Sequence, residues 1–109
     1  MASVYKVLAQ TAPTAATMTT LYTVPAANST VCSSISICNT NTANASIRLA
    51  VCPGNTAVTA SQYVLYDAVC VPYDTIFLTV GMTLAATDTI RVQSSQANVG
   101  FTAFGSENY

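Results

Sequence analysis

Hydrophobic and polar positions alternate along this chain, most clearly over residues 31–52. There Val31, Ser33, Ile35 and Ile37 fall on one side, and Cys32, Ser34, Ser36 and Cys38 on the other. Beyond a polar, Asn-rich stretch, Ile47, Leu49 and Val51 share a side opposite Ser46, Arg48, Ala50 and Cys52. Side chains of a strand point alternately to opposite faces, so a period of two predicts two half-buried strands. A turn centred on Thr42 sets Ile37 against Ile47, Ile35 against Leu49 and Ser33 against Val51, as a hairpin with one apolar face. A slip of one residue sets apolar against polar, so this register is strongly specified.

The rest of the chain reads the same way. Residues 4–9 alternate Tyr5, Val7 and Ala9 against Lys6 and Leu8, a first strand. Residues 11–20 are rich in Ala and Thr, carry Pro13 and lack periodicity, which predicts an extended loop or arm. Residues 21–24 form a short strand stopped by Pro25. Pro53-Gly54-Asn55 is a turn. Residues 62–71 are apolar on both sides, which predicts a strand covered on both faces. After a turn at Pro72-Tyr73-Asp74, residues 75–80 place Ile76, Leu78 and Val80 together against Phe77, and Gly81 ends or bulges that strand. Residues 81–92 are a connection and then a strand carrying Ile90 and Val92. No helical stripe continues from Leu84-Ala85-Ala86. Val99, Phe101 and Ala103 alternate in a last strand, followed by a short polar tail. About eight short strands at this spacing predict one all-β domain over residues 1–109, an antiparallel β-sandwich of jelly-roll or Ig-like type.

Composition narrows the partners. Of 109 residues only seven are charged, Lys6, Arg48, Arg91, Asp67, Asp74, Asp88 and Glu107, and the net charge is −1. Three scattered basic residues leave no nucleic-acid footprint. No apolar run approaches the ~18 residues of a membrane helix. The N-terminal residues lack the basic and apolar regions of a signal peptide, so the expectation is synthesis in a cytoplasm. So little charge gives little protection against association, and charge is depleted where interfaces are buried. The expectation is a surface covered by copies of the chain or by a larger assembly; the alternative is simply a neutral sandwich coated with Thr and Ser.

Chemistry is sparse. The chain has no His, which removes the commonest general base and metal ligand. Asp67 and Asp74 flank the Pro72 turn and are the one carboxylate pair that could face each other in the manner of a glycosidase. Local hydrogen bonding in a turn is the stronger reading of Asp74, and the same holds for Asp88. Cys32, Cys38, Cys52 and Cys70 have no metal-knuckle spacing. The hairpin register sets Cys32 directly opposite Cys52, the candidate disulfide; Cys32 and Cys38 lie about 20 Å apart along a strand and cannot pair. Cys38 with Cys70 stays open, and so do reduced thiols acting as small buried hydrophobes. Two sequons, at Asn28 and Asn44, fit chance in a chain rich in Asn, Ser and Thr. The aromatics are scattered, and Tyr63 and Tyr66 fall on opposite sides of their strand, which suits packing rather than a sugar platform. The residues themselves call for no enzyme, cofactor or metal.

A resemblance adds a direction. Y-K-V-L-A-Q-T-A-P-T (5–14), T-L-Y-T-V-P-A (20–26), S-S-I-S-I-C-N (33–39), R-L-A-V (48–51), L-T-V-G-M-T-L-A-A-T-D-T-I-R-V (78–92) and F-T-A-F-G-S-E (101–107) together resemble the small virion proteins of tailed bacteriophages of cyanophage-like type. The resemblance implies a structural particle component and not an enzyme. The expectation is a capsid cement or decoration protein on the outer surface of the virion. It is expected to form a homo-oligomer, a trimer, over junctions between subunits of the major capsid protein, with the 11–20 arm reaching a neighbour. The alternative is a tail, fibre or baseplate module, or a host-surface adhesin. Four cysteines depart from the usual pattern of that family.

Overall fold

The computed structural model describes residues 2–79 and 81–109. Among the described residues nine strands form: β1 (Ser3–Thr11), β2 (Thr19–Thr23), β3 (Ser29–Asn39), β4 (Ala45–Cys52), β5 (Tyr63–Cys70), β6 (Thr75–Leu78), β7 (Met82–Leu84), β8 (Thr89–Ser94) and β9 (Val99–Asn108). One sheet has the order β1-β9-β3-β6, with β7 also paired to β3; the other has the order β2-β8-β4-β5. Every pairing is antiparallel. Gly81, at φ 56°, separates β6 from β7, so the two share one edge position. Eight strand positions in this order make a jelly roll rather than an Ig sandwich. Ile76 and Leu78 face inward as their spacing predicts. Val80, the third member of that row, lies outside the described residues.

The sheets close over one apolar layer. Ile35, Ile37, Phe101 and Ala103 of the first sheet pack toward Ile47, Leu49, Ile90 and Val92 of the second, all at most 1% exposed. Each buried Ile, Leu, Val or Phe contributes roughly 1.5–3 kcal/mol. The two best-patterned strands therefore meet across the core and not side by side. β3 pairs with β9, β6 and β7, and β4 with β5 and β8, so the expected 31–52 hairpin does not form. Alternation reports which face is apolar; an apolar face is satisfied equally by a layer opposite.

Asn39 directs the chain from one sheet to the other. It is fully buried, and its side-chain amide donates to the carbonyls of Ala43 and Cys70 at 2.9 Å and of Val71 at 3.3 Å. Its Oδ1 accepts from the backbone N–H and the Nδ2 of Asn41, at 3.0 and 3.1 Å. The polar stretch after β3 is thus an arch folded around a buried amide.

Three further expectations are revised. The β3–β9 register shifts between Cys32 and Ser34, so Thr30 and Cys32 point into the core while Val31 turns outward. An extra residue in a strand exchanges its faces from that point on. β5 is an edge strand, with Val64, Tyr66 and Val69 exposed, and not the doubly covered strand its composition suggests. The polar tail is strand: β9 continues to Asn108 between β1 and β3, and Glu107 is buried.

Within residues 11–20 the expected loop is present between β1 and β2, and it is tied to the fold rather than a free arm. Thr11 ends β1, Thr19 and Thr20 begin β2, Pro13 is buried, and the Ala16 N–H donates to the Ser94 carbonyl at 2.7 Å. Ala16, Ala27, Tyr73 and Thr87 occupy the third place of four-residue turns with φ between 56° and 69°. Such left-handed geometry costs a non-glycine residue about 1–2 kcal/mol.

Gly105 is required by close approach. A Cβ there comes within 2.0 Å of the Val31 carbonyl oxygen, which is backbone and cannot swing aside. Gly105→Ala is expected to lower unfolding free energy by about 1–3 kcal/mol, toward the upper end. The midpoint of urea denaturation measures this, and an unchanged midpoint contradicts the packing described for β9.

Candidate interaction surface

The charged side chains are spent inside the molecule. Lys6 reaches from β1 to the carboxylate of Glu107 at 2.6 Å, and the Tyr22 hydroxyl donates to that carboxylate while bonding Thr30 at 2.9 Å. Arg48 holds Asp67 through Nε at 2.7 Å and Nη2 at 3.2 Å. Arg91 donates to Asn55 Oδ1 at 2.6 Å and to the Thr56 carbonyl at 2.9 Å, pinning the loop after β4. Asp88 accepts from the backbone N–H groups of Gly54 and Ala85, each at 2.9 Å. Asp74 accepts from the Thr75 N–H at 2.9 Å, the local turn role its position suggests. Asp67 and Asp74 are therefore engaged with different partners, Asp67 with Arg48 and Asp74 with its own turn.

The outer face of the β1-β9-β3-β6 sheet is left without charge. Register places Tyr5, Val7 and Gln10 of β1, Thr102, Phe104 and Ser106 of β9, Val31, Ser34, Ser36 and Cys38 of β3, and Phe77 and Thr83 on this face. None is Asp, Glu, Lys or Arg. Among the described residues, every exposed large hydrophobic side chain lies toward one of the two lateral edges or at the end of the chain. Val4, Tyr5, Val7 and Tyr109 lie at the β1 edge. Val64, Tyr66, Val69, Val71, Tyr73 and Phe77 lie along β5, the turn after it, and β6.

A different cluster stands on the outer face of the second sheet. Register shifts in β5, where Asp67 has φ 56°, rotate Tyr63 and Tyr66 onto one side. The rings meet edge-on with centroids 4.9 Å apart, and the Arg48 guanidinium lies 4.2 Å from the centre of the Tyr66 ring. A spacing of three residues alone places these tyrosines on opposite faces; the bulge is what no residue pattern announces.

All four thiols are free. Cys32 lies in the core between the sheets, whereas Cys52 faces the far side of its own sheet, with Sγ 3.7 Å from Arg91 Nη1. The register that opposed them does not exist, so the candidate Cys32–Cys52 bond has no geometry here. Burial pushes the Cys32 and Cys70 thiols up from their ordinary values. Cys38 is exposed. No group of three or more His, Cys, Asp or Glu side chains converges among the described residues, and no pocket opens among them. No described helix is long and apolar enough to cross a membrane.

The Glu107 network gives the fold a pH signature. The Lys6 ammonium, and then the Tyr22 hydroxyl, hold the Glu107 carboxyl below its ordinary value against the opposing effect of burial. Its contribution is present above the unfolded-state value and is lost as pH falls through the lower folded one. Burial, and then the Glu107 carboxylate, push the Tyr22 phenol up to about 12 from an ordinary 10.0. That contribution is full below pH 10 and is lost as pH rises toward about 12. Tyr22→Phe is therefore expected to cost about 1 kcal/mol near neutrality. Its deficit relative to wild type is expected to shrink between pH 10 and 12, measured by urea melts across pH. A deficit that stays constant over that window contradicts the network.

No protein family model, curated protein or solved structure matches this chain.

Proposed function

We propose that this chain is a structural component of a bacteriophage particle, a cement or decoration protein that binds the outside of the capsid between major capsid subunits as an oligomer, a trimer. The observation that carries the reading is the charge-free, Ser- and Thr-lined outer face of the first sheet, whose strands are fixed by a packed core. A rigid face that contributes no unpaired charge can be buried without the desolvation penalty that charges bring. The jelly roll suits this role by analogy alone, since the same architecture serves capsid domains and lectins. By mass action, a protein that binds only the assembled shell stabilises that shell.

Particles lacking the protein are expected to burst at lower temperature and lower osmotic stress than complete ones, and complete ones to carry it in hundreds of copies. Gln10→Glu with Ser36→Glu, both on the outer face and separated by β9, is expected to keep the fold and abolish binding to empty shells. Equal survival of deficient particles, or undiminished binding by the double variant, refutes cementing by this face.

One observation favours the second reading, a tail, fibre or baseplate module acting as a host-surface adhesin. The Tyr63–Tyr66 pair flanked by Arg48 and Asp67 offers an aromatic ring beside charged hydrogen-bonding groups, with Tyr66 60% exposed. Sugar rings stack on such aromatics. A copy number of six or twelve per particle, with glycan binding lost in Tyr66→Ala, selects this reading over the first.

A further inference from the structure

We infer that copies of this chain join head to tail into a closed ring, with the β1 edge of one copy against the β6 edge of the next. The inference rests on the oligomeric part of the proposal above and not on a location in a particle.

Two different edges carry the exposed apolar side chains. Tyr5 and Val7 are 84% and 49% exposed at one; Val69, Val71, Tyr73 and Phe77 are 58%, 47%, 73% and 70% exposed at the other. A two-fold pairing of either edge with itself leaves the other uncovered. A head-to-tail contact covers both at once, and repeating it makes a ring when the rotation closes.

Strand direction fits that contact. β1 is antiparallel to β9, β9 to β3, and β3 to β6, so β6 runs opposite to β1. Rotation about an axis roughly along the strands keeps each direction, so β6 meets β1 of the next copy as an antiparallel pair. Both edges present unpaired backbone N–H and C=O groups, which is the chemistry that recognises another strand. Tyr5 and Phe77 project from the same outer face, so in the joined sheet they lie on one side.

The usual guards against such pairing are weak over the stretch where these two edges meet. Edge strands are protected by charges, Pro or bulges. Lys6, the one charge in β1, is drawn to Glu107, and the register shift of β1 comes only after Val7, so the regular stretch Ser3–Val7 is the part that pairs. β6 carries no charge, Pro or bulge. β5 does carry bulges, which assigns the ladder to β6 and leaves β5 to contribute side chains. No like charges meet across the junction.

The test is the mass of the full chain by light scattering after size-exclusion chromatography. The expected result is one discrete species of three or more copies. Tyr5→Lys spoils one edge and Phe77→Lys the other; each variant alone is expected to be monomeric with a native far-ultraviolet spectrum. Mixed in equal amounts they are expected to form a dimer, because one intact β1 edge still meets one intact β6 edge. Tyr5→Ser and Tyr73→Gly serve as replacements should either Lys variant fail to fold. A monomeric wild type, a wild-type dimer, variants that assemble like wild type, or a mixture that stays monomeric each overturns the inference. A ring-forming chain that is missing from particles refutes only the location; a monomer found on capsids refutes only the ring.

Discussion

The fold turns on the buried amide of Asn39. Its side chain bonds five backbone or side-chain partners, and its own N–H donates to the Asp74 carbonyl at 2.9 Å. A buried amide with unmet groups is costly, and one with all of them met fixes its surroundings tightly. Here the surroundings are the end of β3, the arch to β4 and the end of β5. With those three held together, β3 and β4 enter opposite sheets and their apolar faces meet through the core. The remaining crossovers of the jelly roll follow from that first one.

This explains how much of the molecule could be read from its residues. The strands other than β7, which lies in a stretch that reads as a connection, the inward set Ile47, Leu49 and Val51, the turn at Pro72 and the absence of a helix at Leu84 follow from periodicity and turn chemistry. The partner of each strand does not, because alternation is silent about whether an apolar face meets a neighbour or an opposite layer. Bulges hide more: one residue at Ser33 sends Val31 out and Cys32 in, and those in β5 gather Tyr63, Tyr66 and Asp67 beside Arg48. Glu107 reads as part of a polar tail because its partner Lys6 stands at the other end of the sequence.

Scarcity of charge has a structural consequence once the bonds are traced. Each of the seven charged side chains has a partner within the chain: two ion pairs, a pinned loop and two turns. The surface is left to Ser, Thr, Asn and Tyr. Such a surface neither repels copies of itself nor steers a charged ligand, so association is decided by shape and apolar area.

The 71–74 turn sharpens that point. Its shape is imposed, since Asn39 holds the carbonyls of Cys70, Val71 and Asp74 at once. A glycine adopts the required φ of 59° freely, whereas the Tyr73 that stands there is strained by its own Cβ. Little burial within the chain offsets that strain, since the ring is 73% exposed, with Phe77 70% and Val71 47% exposed close by in the sequence. The side chain thus stands on a glycine-type turn with most of its surface open to solvent. β5 shows the same imbalance: its residues are apolar on both faces, yet as an edge strand it leaves Val64, Tyr66 and Val69 exposed.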